Sequence, residues 1–160
     1  MNPPPDSSAA PPGRAKILVV DDEAIIRQLT VHVLTDLGHQ VVEATSGEEA
    51  LRLVNEERPD LILLDIMMPG VSGIEVCRQL RANKRTEAIP VIVVSGANAK
   101  RALEESIIAG ADDFLAKPID TLELLVRVRS MLRVRNVRDQ EKRVVAYVKN
   151  LQTMRQSKKP

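Results

Sequence analysis

Five side chains able to take part in metal or phosphoryl chemistry each follow a short aliphatic run. Asp21 and Asp22 follow Ile17-Leu18-Val19-Val20, and Asp65 follows Leu61-Ile62-Leu63-Leu64. Ser95 follows Val91-Ile92-Val93-Val94, and Lys117 follows Phe114-Leu115-Ala116. Three carboxylates brought together repel one another and are costly to keep ionised. A hard divalent cation relieves the repulsion, and Mg²⁺ suits a site with few protein oxygens and room for water. Beside them, the lysine and the serine supply donors for an oxyanion. Cation, ammonium and hydroxyl around one carboxylate make the equipment that stabilises a phosphoryl group in transfer. Taken singly, each residue has a plainer reading, since an Asp after a strand is commonly a loop residue or a helix N-cap. Only their recurrence at successive strand ends points to one site.

The elements that must position them alternate strictly from Lys16 onward. The strands 16–20, 40–44, 61–65, 90–95 and 113–116 are short and mostly aliphatic, as in sheets covered on both faces. Between them run amphipathic stretches. The first, over 24–37, places Ile25, Ile26, Leu29, Val33 and Leu37 at helical spacing and stops at Gly38. The second opens on Ser46 with Glu49 three residues on, a capping-box pattern, and carries Ala50, Leu51, Leu53 and Val54. The third, over 73–83, turns Ile74, Cys77 and Leu80 inward. The fourth covers 100–109 and ends at Gly110. The fifth, over 121–133, offers Leu122, Leu125, Val128 and Leu132 as its inner face. Five such units predict an α/β fold, a (βα)5 doubly wound parallel sheet with right-handed crossovers. In strand order 2-1-3-4-5, strands one and three flank the point where the winding reverses, which gathers Asp21, Asp22 and Asp65 in one crevice.

Composition narrows the classes. Hydrophobic residues are 44% and charged residues 28% of 160, a globular balance, and the net charge of +1 supplies no field for a polyanion. Phe114 and Tyr147 are the whole aromatic complement, too few for a base-stacking platform or a flavin sandwich. These features argue against a nucleic-acid partner and against a flavodoxin-like cofactor binder. No apolar run reaches membrane-spanning length, and the polar, Pro-rich start is no signal peptide. Cys77, the lone cysteine, excludes an internal disulfide and reads as a small core residue. A cytoplasmic protein is expected.

At these residues the chain resembles the receiver domain of two-component response regulators, the CheY-like family. The matching stretches are Ile17-Leu18-Val19-Val20-Asp21-Asp22-Glu23, Leu63-Leu64-Asp65-Ile66-Met67-Met68-Pro69-Gly70, Val93-Val94-Ser95-Gly96-Ala97 and Gly110-Ala111-Asp112-Asp113-Phe114-Leu115-Ala116-Lys117-Pro118. The resemblance implies a flavodoxin-like fold in which Asp65 accepts phosphate from a sensor histidine kinase or a phosphotransfer protein. It implies that Asp21, Asp22, Asp65 and the backbone carbonyl of Met67 hold Mg²⁺. Lys117 would pair with the phosphoryl oxygens, and its bond to Pro118 would be cis. Ser95 and Phe114 would be the switch residues, standing where the family more often has Thr and Tyr. Such a protein has no separate catalytic domain, although it assists its own phosphorylation and dephosphorylation. Its switching face would comprise the fourth helix, fifth strand and fifth helix. There Asp112, Asp113, Glu123 and Arg127 match the ion-pairing pattern of receivers that dimerise.

The expected organisation is a disordered Pro-rich arm over 1–14, a receiver over 15–134 and a basic helical tail over 135–160. The tail repeats Val134, Val137, Val144, Val148 and Leu151 at spacings of three and four, with Glu141 as a polar intruder. Its arginines and lysines read as a solvated face. The stripe needs a partner to become ordered. A second chain is favoured, so homodimerisation is expected on phosphorylation or through this helix. The alternative class is the N-terminal regulatory receiver of a longer output enzyme, such as a nucleotide cyclase or phosphodiesterase.

Overall fold

The computed structural model describes residues 13–96 and 100–156. Most of the Pro-rich arm, Ala97 of the third motif and the last four residues of the tail lie outside them. The described chain runs β1 (Lys16–Val20), α1 (Ala24–Asp36), β2 (Gln40–Ala44), α2 (Gly47–Glu57), β3 (Leu61–Asp65) and α3 (Gly73–Ala82). It continues through β4 (Val91–Ser95), α4 (Lys100–Ile108), β5 (Asp113–Ala116), α5 (Thr121–Arg133) and α6 (Gln140–Gln156). All strands are parallel, in the order β2-β1-β3-β4-β5. The fold is the flavodoxin-like arrangement expected from the sequence, with a helix added after it.

The aliphatic runs form central strands because both of their faces are buried. On β1 and β3, Leu18, Val20, Ile62 and Leu64 face a core shared with α2 and α3, through Ala50, Val54, Val76, Cys77 and Leu80. The alternate residues Ile17, Val19, Leu61 and Leu63 face a second core with α1 and α5, through Leu34, Leu124, Val128 and Met131. This is the period of two expected of a sheet covered on both sides. Truncating a fully enclosed residue such as Leu63 to Ala costs about 2–5 kcal/mol, from lost transfer energy and the cavity left behind.

Two helix faces differ from the sequence pattern. In α1, Ile25 and Leu29 are 75% and 63% exposed, whereas Thr30 and Leu34 are buried. Thr30 tolerates the interior because its hydroxyl donates to the Ile26 carbonyl at 2.9 Å. In α5, Leu122 is exposed, and burial follows Leu124, Val128 and Met131 together with Ser130. That face is wide because α5 packs against α6 as well as against the sheet.

The α2 N-terminus shows a further shift. Ser46 accepts from the Glu49 N–H at 3.1 Å as read, but the Glu49 carboxylate reaches back to the Thr45 N–H and hydroxyl, not to Ser46. These bonds from Thr45 hold the Glu49 carboxyl below its ordinary range.

The tail departs furthest. α6 follows α5 after a turn and folds back onto the receiver's own surface. Its most buried residues are Arg143 and Tyr147, neither of them in the valine stripe, and Val148 is 44% exposed. Arg143, expected on a solvated face, is fully enclosed.

Candidate functional site

The site lies at the carboxyl ends of β1, β3, β4 and β5. Val20 pairs with Leu64 in the sheet, so Asp21 emerges beside Asp65. Ser95 pairs with Ala116, which brings Lys117 to the same rim. Asp21, Asp22 and Asp65 each present a carboxylate oxygen, and these atoms lie within 4.8 Å of one another. Asp21 and Asp65 are buried, while Asp22 is exposed and keeps the cluster open to water.

Local backbone fixes the orientation of each acid. Asp21 Oδ1 accepts the Glu23 N–H at 2.8 Å, and Asp65 Oδ1 accepts the Met67 N–H at 3.1 Å. Each bond spans two residues, the Asx turn that short carboxylates form where a strand gives way to a loop. The remaining oxygens face Lys117, whose Nζ stands 3.1 Å from Asp65 Oδ2, 3.1 Å from Asp21 Oδ2 and 3.4 Å from Glu23 Oε1. The Lys117 N–H donates to the Ser95 carbonyl at 2.7 Å, and the Lys117–Pro118 peptide is cis.

Electrostatics distinguish Asp65 from its neighbours. Burial pushes its carboxyl up to about 6, against the pull of Lys117 and with added repulsion from Asp21. Burial also works against the Lys117 ammonium, but its contacts with Asp21 and Asp65 outweigh that and hold it above the usual lysine range. One ammonium thus pairs with three carboxylates, those of Asp21, Glu23 and Asp65, with Asp22 beside them. A hard cation fits the remaining charge, and the carboxylate donors with an exposed Asp22 suit one that keeps several waters.

Ser95 is wholly buried, and its Oγ has no hydrogen-bond partner among the described residues. An unsatisfied buried hydroxyl is costly, and this one closes β4 next to the Asp65 strand. Phe114, the other expected switch residue, is half-buried on β5 against the α2–α3 core.

Sequence reasoning missed two contributors. Glu23 adds a carboxylate to Lys117; it stands inside the Asp21-Asp22-Glu23 run and was visible there. Gly73 opens α3 so close to β3 that a Cβ on it would meet the Asp65 carbonyl oxygen at 2.3 Å. Ser72 caps that helix by accepting from the Glu75 N–H. Together they press α3 against the strand that carries Asp65.

The expected pairing face divides. Arg127 donates to Glu123 at 3.0 Å and to Asp113, all within one chain, and the Tyr147 hydroxyl donates to the same Asp113 carboxylate. The Asp112 side chain is fully enclosed, so it is not a surface residue. It binds Arg81 Nη2 at 2.9 Å, the Val91 N–H at 2.8 Å and Arg143 Nε at 3.0 Å. The physical reason is α6, whose Arg143 brings a counter-charge to a carboxylate that the sequence placed outside.

The response regulator receiver domain family matches residues 17–129, and the chain belongs to that family. Among its relatives, the transcriptional regulatory protein AfsQ1 of Streptomyces coelicolor is 41% identical over 117 residues, covering 73% of this chain and 51% of that one. The response regulator PleD of Caulobacter vibrioides is 42% identical over 127 residues, covering 79% and 28% respectively. The chain spans about half the length of the first of these relatives. The solved receiver domain of NtrX from Brucella abortus superposes with a TM-score of 0.68 at 33% identity, covering 73% of this chain and 98% of that one. This is a receiver domain of a two-component system. Among the described residues, no helix is long and apolar enough to cross a membrane.

Proposed function

We propose that the chain is a phosphoacceptor and that Asp65 is the acceptor, with a phosphohistidine of a sensor histidine kinase or phosphotransfer protein as donor. The convergence of Asp21, Asp22 and Asp65 beside Lys117 carries this reading. The ionised Asp65 oxygen attacks phosphorus, a P–O bond forms, and the P–N bond breaks with its electron pair returning to the imidazole. Asp21, Asp22, Asp65 and the Met67 carbonyl would hold Mg²⁺, which when bound offsets the charge gathered by the acids and the phosphoryl group. Lys117 exchanges its bond to Asp65 for the phosphoryl oxygens. Ser95 Oγ, without a partner among the described residues, donates to one of them, and Phe114 fills the space that Ser95 leaves.

The donor's approach is supported by an apolar groove of about 230 Å³ next to Lys117. Ile26, Leu29, Val33, Pro118 and Ile119 line it. With exposed Ile25 and Leu29 alongside, this surface suits an amphipathic helix that presents a histidine to Asp65.

The organisation that supports this activity is an arm over 1–14, the receiver over 15–134 and the helical extension over 135–160, in a cytoplasmic protein. The share of its relatives' length that the chain spans favours one further reading, a regulatory receiver at the head of a longer output protein.

Incubation with a small phosphodonor and Mg²⁺, followed by intact mass measurement, tests the assignment. Wild type gains one phosphate and Asp65→Asn gains none. A variant phosphorylated as fast as wild type overturns it.

A further inference from the structure

Asp112 and Asp113 directly precede Phe114, and α6 is fastened to both. Arg143 is fully enclosed, with Nε 3.0 Å from Asp112 Oδ1, and it donates through Nη1 to the carbonyls of Ala88 at 3.1 Å and Val137 at 3.0 Å. One turn on, Tyr147 donates to Asp113, which Arg127 also holds. At the head of the helix, Gln140 donates to the Gly110 carbonyl at 2.8 Å. Phe114 shares a surface groove with Ile107, Asp113, Val144 and Val145. The switch residue therefore has α6 on one side and the acids that anchor α6 next to it in the chain.

We propose that α6 is a releasable clasp on the face formed by α4, β5 and α5, docked while Asp65 is unmodified and loosened when Phe114 moves on activation. The inference rests on the phosphoacceptor reading above.

Three observations favour release over a fixed scaffold. First, both end states leave the acids satisfied. Without α6, Asp112 keeps Arg81 and the Val91 N–H, and Asp113 keeps Arg127. Arg143 returns to water, so no buried charge is stranded. Second, the latch is a buried ion pair with an incomplete bond. Arg143 Nη2 lies 2.9 Å from Asp112 Oδ1 but lacks the alignment of a hydrogen bond. Such pairs add little net stability and depend steeply on position, since desolvation offsets attraction. A small shift of the Asp112–Phe114 backbone is enough to upset one. Third, Tyr147 shares Asp113 Oδ2 with Arg127, so docked α6 covers one oxygen of a carboxylate that its departure would uncover.

Hydrogen exchange on the full chain tests the clasp, with beryllofluoride and Mg²⁺ as phosphoryl mimic and fluorine NMR as the check that the mimic binds. Amides over 142–152 should exchange about tenfold faster or more in the mimic complex. Coupling between sites is reciprocal, so weakening the clasp by Arg143→Met or Tyr147→Phe should raise affinity for the mimic, by about fivefold or more. The Arg143→Met side chain keeps most of the buried volume, and Tyr147→Phe removes a single hydroxyl. If Arg143→Met fails to fold, Tyr147→Phe decides alone. Bound mimic with unchanged exchange in α6 and unchanged affinity in the variants would show a fixed helix and overturn the clasp. Failure of wild type to bind the mimic would overturn the phosphoacceptor reading, and the clasp with it.

Discussion

Two pairs of neighbouring aspartates stand at opposite ends of the same sheet, and they meet opposite fates. Asp21 and Asp22 leave the carboxyl end of β1, where Glu23 and Asp65 add negative charge, Lys117 pairs with the carboxylates and Arg27 reaches the Asp21 carbonyl. Asp112 and Asp113 stand at the amino end of β5, where Arg81, Arg143 and Arg127 supply counter-charges from three helices. The second pair is neutralised by the protein and serves its architecture. The first is left short of positive charge, which is what a cation and a phosphoryl group require. An acidic pair stays available to a cation when the fold withholds its partners.

The largest effect that separates the two pairs is on stability. Asp112→Ala leaves Arg81 in the receiver without its carboxylate and the Val91 N–H without its acceptor, and should cost about 3–5 kcal/mol in urea unfolding. A loss below about 1 kcal/mol would mean that the network is not structural. At the other end the sign reverses. The Asp65 carboxyl titrates at about 6 in the fold against 3.8 as its ordinary value. Between those values the folded state binds more protons, so stability falls as pH rises and stays lower above about 6. Asp65→Asn does not ionise and should exceed wild type at pH 7 by about 1–3 kcal/mol, the advantage fading as pH falls through 4. Equal stability at pH 7 would show that Lys117 fully compensates the acid. A smaller effect tests the missing counter-charge itself. Mg²⁺ at about ten times its dissociation constant should stabilise wild type by ~1.4 kcal/mol, read as a rise in Tm of a few degrees. Asp22→Ala should lose that rise without losing fold stability. A rise that persists in the variant would remove Asp22 from the metal site.

His39 offers a finer contrast, because it is a buried base outside both pairs. Burial, with Arg129 and Arg135 nearby, lowers its pKa below 6.5, and its Nδ1 accepts the Ala15 N–H at 3.2 Å. The unfolded chain takes up the proton first as pH falls, so part of the stability present above about 6.5 should be lost below it. His39→Gln should flatten that decline; an unchanged slope would assign the decline to other groups.

The acidic crevice was legible in the sequence because each of its residues follows a strand buried on both faces, and such strands announce themselves as unbroken aliphatic runs. The clasp was not. Arg143 sits in a helix rich in basic residues, and its partner lies 31 positions earlier. Periodicity carries no sign of so distant a pair, so the arginine read as solvated. The one available hint was Tyr147, four residues on and one of two aromatics in the chain. In α1 the pattern misled for the opposite reason. Ile25 and Leu29 have helical spacing but lie beside the Lys117 groove, so a row that looked like core is a surface suited to a partner. Ser95 was found by position alone, and its lack of a bonding partner among the described residues became visible only with the fold.

Cys77 is the only cysteine of the chain; it is fully enclosed on α3, and burial pushes its thiol up to about 12. Thiolate is the reactive form, so the native chain is close to blind to maleimides and iodoacetamides at neutral pH. A cysteine placed at exposed Val148 on α6, with another at exposed Ile25 on α1, would then be labelled without removing the native residue. The molecule comes ready for distance measurement by paired spin labels or fluorophores, with its core untouched.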